Sequence, residues 1–144
     1  MGRVININNP GKLRAHHMRT IAELLRHVLT KTALDDETKD MAALIVYALR
    51  EISDATEVTC QAWEKRGYWM KAERFLREWR WTAETAADFE DVLRHEAWDL
   101  LPGLFADLFP RVADIDIKRT LRKPSLWNGA YGRLLAEDPR PLPY

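Results

Sequence analysis

Four of the chain's six tryptophans fall between Trp63 and Trp81, and no proline interrupts that stretch. With them come Tyr68 and Phe75, interleaved with Arg66, Lys71, Arg74, Arg77 and Arg80. Read at about 100° per residue, the segment predicts one long helix, Ala55 to Trp81, with two apolar stripes. Tyr68, Ala72, Phe75 and Trp79 make the first stripe. Trp63, Gly67, Met70, Arg74 and Trp81 make the second. A helix that is apolar on two sides must be covered on two sides, by its own neighbours or by another chain. Gly67 in mid-helix costs about 1 kcal/mol relative to alanine, so close approach of a second backbone is its expected reason.

The flanking sequence is helical as well. Asn9 is placed to cap a helix that starts at Pro10 and runs to Lys31. Leu13, His17, Ile21, Leu24 and Val28 share its apolar face. Asp35, Asp36 and Glu37 supply the cap and acidic first turn of a second helix, which buries Met41, Leu44, Ile45, Ala48, Leu49 and Ile52. Ser53-Asp54 is expected to break that helix, and Asp54 with Glu57 has capping-box spacing. Thr82 is expected to cap a fourth helix carrying Phe89, Val92, Leu93, Ala97 and Leu100, which Pro102-Gly103 ends or kinks. A short helix from Leu104 to Phe109, a turn at Ile117 to Arg122 and a last helix capped by Ser125 and running to Leu135 follow. The expected fold is all-α: one domain, residues 1–144, an antiparallel bundle of four main helices. An extended arm (residues 1–9, with Val4 to Ile7 strand-like), short C-terminal helices and a mobile tail (136–144) complete it.

Bulk properties narrow the functional classes. The formal net charge is zero and there is one cysteine, Cys60, so no intrachain disulfide is available. With no long apolar run, the expected setting is the cytoplasm, without a membrane span. Charge alternates along the chain: residues 1–31, 58–81 and 111–144 are net basic, 32–57 and 82–110 net acidic. Sequential helices are therefore expected to face oppositely charged neighbours.

Three functional readings follow. The first is a non-enzymatic interaction protein, pairing with itself as a homodimer or with another protein through Trp63, Gly67, Met70, Arg74 and Trp81. Tryptophan and arginine are enriched at interface hot spots. The second is a nucleic-acid binder using Arg14, Arg19 and Arg26 of helix one with Lys118, Arg119, Arg122 and Lys123, near Trp127 and Tyr131. The competing expectation is that these cations meet the acidic helices. The third is a metal- or small-molecule-dependent enzyme with a site inside the bundle. His16, Glu23 and His27 share one stripe of helix one with Thr20, but they span about 16 Å at 1.5 Å per residue, too far for one ion. That stripe is expected to be a solvated face, and His17 a core residue. His95, among Glu84, Asp88, Asp91 and Asp99, is expected to face water, and Cys60 to be a small buried residue. No phosphate loop, nucleophile elbow or paired-cysteine spacing is present, and no cofactor is implied.

Overall fold

The computed structural model describes residues 9–143. The expected arm at Val4 to Ile7 lies outside them. The described residues are helical, with no strand among them. Six α-helices occur: α1 (Pro10–Val28), α2 (Asp36–Lys65), α3 (Trp69–Trp79), α4 (Trp81–Arg94), α5 (Leu101–Leu108) and α6 (Ala130–Ala136).

Local chemistry starts the first two where expected. Asn9 Oδ1 accepts from the Lys12 amide at 3.1 Å, with proline in the first turn. The Asp35 carboxylate accepts from the Thr38 amide at 2.8 Å and the Thr38 hydroxyl at 2.7 Å. Helix α1 stops at Val28, before the expected Lys31, and the Thr30 hydroxyl bonds back to the His27 carbonyl at 2.7 Å.

The break expected at Ser53-Asp54 does not form. Helix α2 runs through it for 30 residues. Serine and aspartate in a helix interior cost only tenths of a kcal/mol (about 0.5 each). Buried Leu49, Ile52, Ala55 and Thr56 keep one apolar face continuous across the pair. Asp54 instead pairs with Arg140 of the tail.

The break comes at Gly67. Its φ is +80°, the left-handed conformation that disfavours any side chain. The Gly67 amide donates to the Glu64 carbonyl and the Tyr68 amide to the Trp63 carbonyl, both at 2.9 Å. This is the paired Schellman closure of a helix C-terminus. A Cβ built on Gly67 would meet nothing within 4 Å. The glycine is thus there for its dihedral angle, not for the close backbone approach read from sequence. The long two-striped helix becomes the end of α2, a tight turn, α3 and the start of α4.

Helix α4 begins at Trp81, with Thr82 inside its first turn rather than at the cap. The Thr82 hydroxyl donates to the Trp79 carbonyl at 2.8 Å. It ends at Arg94, earlier than expected, and Glu96 takes φ +55°. Pro102 then sits in the first turn of α5, where its missing amide costs nothing, so it opens a helix and does not end one. Ile117 to Arg122 makes no helical turn, and Ser125 lies in a short 3-10 turn, Pro124–Leu126. Helix α6 is capped from another helix. The Asp40 carboxylate of α2 accepts from the amides of Gly129 (3.1 Å) and Tyr131 (3.0 Å).

Helix α2 is the hub. Helices α1, α3, α4 and α6 each pack against it. Ile21, Leu24 and Leu25 of α1 meet Met41, Ile45 and Leu49 of α2 and Phe89 and Leu93 of α4 in one apolar core, all essentially inaccessible. Burial of this kind is the dominant stabilising effect, about 1.5–3 kcal/mol for each large side chain.

Candidate functional site: an aromatic elbow, a polar seam and an apolar groove

Reversal of the chain at Gly67 leaves three consecutive large residues in solvent. Tyr68, Trp69 and Met70 are 54%, 64% and 76% exposed. The other side of α3 presents Ala72, Phe75 and Trp79 inward, and the Cys60 thiol of α2 donates to the Ala72 carbonyl at 3.4 Å. Cys60 is buried, as expected, and burial raises its thiol pKa.

Behind this elbow runs a ladder of rings. Trp63 meets Phe75 edge-on with centroids 5.0 Å apart, Phe75 meets Trp79 at 6.3 Å, and Trp79 stacks on Trp81 at 6.3 Å. Cations cover its faces. Lys71 Nζ lies 4.6 Å from the Trp63 ring, the Arg14 guanidinium 4.7 Å from Phe75, and Arg111 4.5 Å from Trp81. Each ring pair and each cation adds about 0.5–1.5 kcal/mol beyond area burial. The elbow therefore stands on a braced platform.

The five residues expected to form one helical face are spread over three helices. Trp63 is on α2, Gly67 in the turn, Met70 and Arg74 on α3, and Trp81 on α4. Trp63 and Trp81 are half-buried in the ladder, while Gly67, Met70 and Arg74 are exposed. Trp69, which belonged to neither expected stripe, is among the most exposed aromatics. Reading Gly67 as the left-handed residue that closes a helix is the signal that would have found it.

The polar stripe of α1 is not a solvated face. Thr20 and Glu23 are buried, covered by the irregular segment 112–123. Glu23 accepts from the amides of Leu121 (2.7 Å) and Arg122 (2.8 Å), from Arg19 Nε (2.9 Å) and from Arg122 Nη1 (3.3 Å). Burial pushes its pKa up, but the two amides, Arg19 and the charge of Arg122 outweigh burial and hold it below the usual carboxylate value. Arg122 also donates to the Thr20 hydroxyl (3.0 Å), the His16 carbonyl (2.9 Å) and His16 Nδ1 (3.1 Å). A guanidinium only donates, so Nδ1 of His16 is the acceptor there. His27 lies apart, 3.4 Å from Glu37 and against the Trp127 ring.

His16, Glu23 and His27 therefore do not converge. No group of three His, Cys, Asp or Glu placed to hold a metal ion occurs among the described residues. His17 is half-buried, and its pKa falls to about 4 through burial first, then His16 and Arg122. It lines a recess of about 90 Å³ with His16, Leu44 and Tyr47, smaller than the roughly 300 Å³ at which ligand pockets begin.

The cations of the nucleic-acid reading point in several directions. Arg14 covers the ladder and donates to the Thr59 hydroxyl at 3.0 Å. Arg26 donates to the Ala22, Val112 and Ile115 carbonyls, and Arg19 to the Arg119 carbonyl. Arg122 is inside the seam, and only Lys118, Arg119 and Lys123 are exposed. These arginines were expected to meet acidic α2 and α4 of the same chain or of a second copy. Within the chain Arg19, Arg26 and Arg122 meet Glu23 and main-chain carbonyls instead, because segment 112–123 lacks regular structure and its polar backbone groups need partners, while Arg14 meets the Thr59 hydroxyl of α2.

A second charged cluster fastens the tail. Buried Glu90 accepts from Arg50 (2.8 Å) and Arg94 (2.7 Å), and Arg94 donates onward to the carbonyls of Leu134 and Glu137. His95 is exposed, as expected, with Nδ1 2.9 Å from the Asp91 carbonyl.

At the opposite end of α2 from the elbow lies an apolar groove of about 380 Å³. Val28, Leu29 and Leu34 from the α1–α2 connection line it together with Trp98 and with Leu101 and Phe105 of α5. Leu29 and Leu34 are 67% and 42% exposed. Among the described residues no helix is long and apolar enough to cross a membrane. No family model, no curated protein and no solved structure matches this chain.

Proposed function

We propose that the protein acts by binding and not by catalysis, and that it associates with copies of itself through the α2–α3 elbow. The observation that carries this is the run Tyr68-Trp69-Met70, more than half exposed on a braced ring platform. Large exposed apolar side chains are costly to leave in water, and tryptophan, tyrosine, methionine and arginine are the types that interfaces concentrate. A platform fixed before binding also reduces the ordering cost of association. The expected result in sedimentation velocity is a concentration-dependent rise in mass, abolished by Trp69→Ser with Met70→Ser. A chain that stays monomeric at the highest concentration reached would remove the reading.

A second reading draws on the same place. Lys65, Arg66, Lys71 and Arg74 are exposed around Trp69, an arrangement that suits stacking on a base with phosphate contacts. It predicts quenching of tryptophan fluorescence by single-stranded DNA or RNA that weakens steeply with salt. No quenching at low salt eliminates it.

A further inference from the structure

The elbow is convex, apolar and basic. The groove at the other end of α2 is concave and apolar, and its surroundings are acidic. Its lining comes from the turn between α1 and α2, from Trp98 and from α5, with exposed Asp35 and Asp36 at the start of α2 and exposed Asp99 directly after Trp98. The one lysine in its lining, Lys31, is already bonded to Asp35 at 2.8 Å and to Glu37, and Lys39 lies 4.6 Å from the lining Trp98 ring, so the acids around the groove outnumber the cations. Around the elbow, exposed Lys65, Arg66, Lys71 and Arg74 outnumber the acids. Knob and groove are thus both apolar and lie in surroundings of opposite charge.

They cannot meet within one molecule. Helix α2 has 30 residues, and Thr38 in its first turn lines the groove while Lys65 ends it at the elbow. At 1.5 Å per residue the two sites are about 40 Å apart on a rigid rod.

We infer that the elbow of one copy seats Trp69 and Met70 in the Leu29/Leu34/Phe105 groove of the next. The inference rests on the self-association reading and specifies its geometry. Two different patches in contact either pair reciprocally in an antiparallel two-fold dimer, each knob in the other's groove, or run head to tail as a ring or chain.

Complementation in full-length chains tests it. One variant removes the knob (Trp69→Ser, Met70→Ser) and one blocks the groove (Leu29→Glu, Leu34→Glu). All four sites are solvent-exposed, and circular dichroism and thermal melting establish that both variants fold. In sedimentation velocity the wild type is expected to self-associate, as a reciprocal dimer or as larger species. Each variant alone should be monomeric, its dissociation constant raised at least about thirtyfold, the loss of one hot spot. An equimolar mixture of the two should form a 1:1 dimer and stop there, since it retains one intact knob and one intact groove. A groove variant that associates like the wild type overturns the inference while the elbow reading stands. A mixture that remains monomeric also overturns it. A monomeric wild type, or an elbow variant that still associates, removes both.

Discussion

The seam along α1 and the elbow after α2 are opposites. The seam is built from the most water-seeking side chains in the helix, and the fold hides them. Glu23 keeps 1% of its side-chain surface. The elbow is built from some of the least water-seeking, and the fold displays them. The seam's charges are retained inside because each oxygen and guanidinium nitrogen has a specific partner, several of them backbone groups with no helix to bond to. Among the described residues no buried side-chain nitrogen or oxygen lacks a partner. Inside this protein, polarity serves as the connector for an irregular segment, while large apolar side chains are left in solvent at a tight turn.

Glu23→Ala should have the largest effect on that contrast. It leaves two guanidinium groups and two amides facing an emptied site, and breaking a buried pair in this way costs about 3–5 kcal/mol. Urea denaturation should show it, and a loss below about 1 kcal/mol would mean that water reaches the seam. Acid comes next. His17 titrates at about 4 when folded against an ordinary 6.5, so the unfolded chain binds its proton more readily. Stability should therefore fall as pH drops from 6.5 toward 4, and His17→Gln should flatten that part of the curve. Glu23 and Glu90 lie below their ordinary 4.5 when folded, so their contribution is present above 4.5 and disappears as pH falls through their lower values.

Gly67→Ala should cost about 1–2 kcal/mol from the left-handed dihedral alone, since no neighbour obstructs the added methyl. A neutral effect in thermal melting would mean that the turn adopts another conformation. The smallest effect belongs to the elbow itself: Trp69→Ser with Met70→Ser should change monomer stability by no more than about 0.5 kcal/mol. A large loss there would mean that the exposed residues are structural, and the contrast with the seam would collapse.

Sequence resolves the parts of this fold that local chemistry decides. Asn9-Pro10 and Asp35-Asp36 start helices because cap and first turn are neighbours in the chain. The all-helical class follows from spacing. The apolar face of α2 is legible to Ile52, but Ser53-Asp54 misleads, because the packing of Leu49 and Ala55 against other elements decides whether a weak pair breaks a helix. Gly67 carries two meanings, and periodicity on both sides favours the wrong one. The seam is the least legible of all. His16, Thr20 and Glu23 at helical spacing look like a wet face, and nothing local announces that Leu121 and Arg122, about a hundred positions later, will cover them.

That separation has a consequence for the order in which the protein is made. Helix α1 carries a carboxylate whose partners Leu121 and Arg122 are 98 and 99 positions downstream. At about 5–20 residues per second, they arrive roughly 5–20 seconds after it. Until then Glu23 has Arg19 and water for company, and α1 can pack its apolar side but cannot close its other one. A nascent chain stalled before Leu121 should thus hold a helical nucleus in which α1 is still open to exchange.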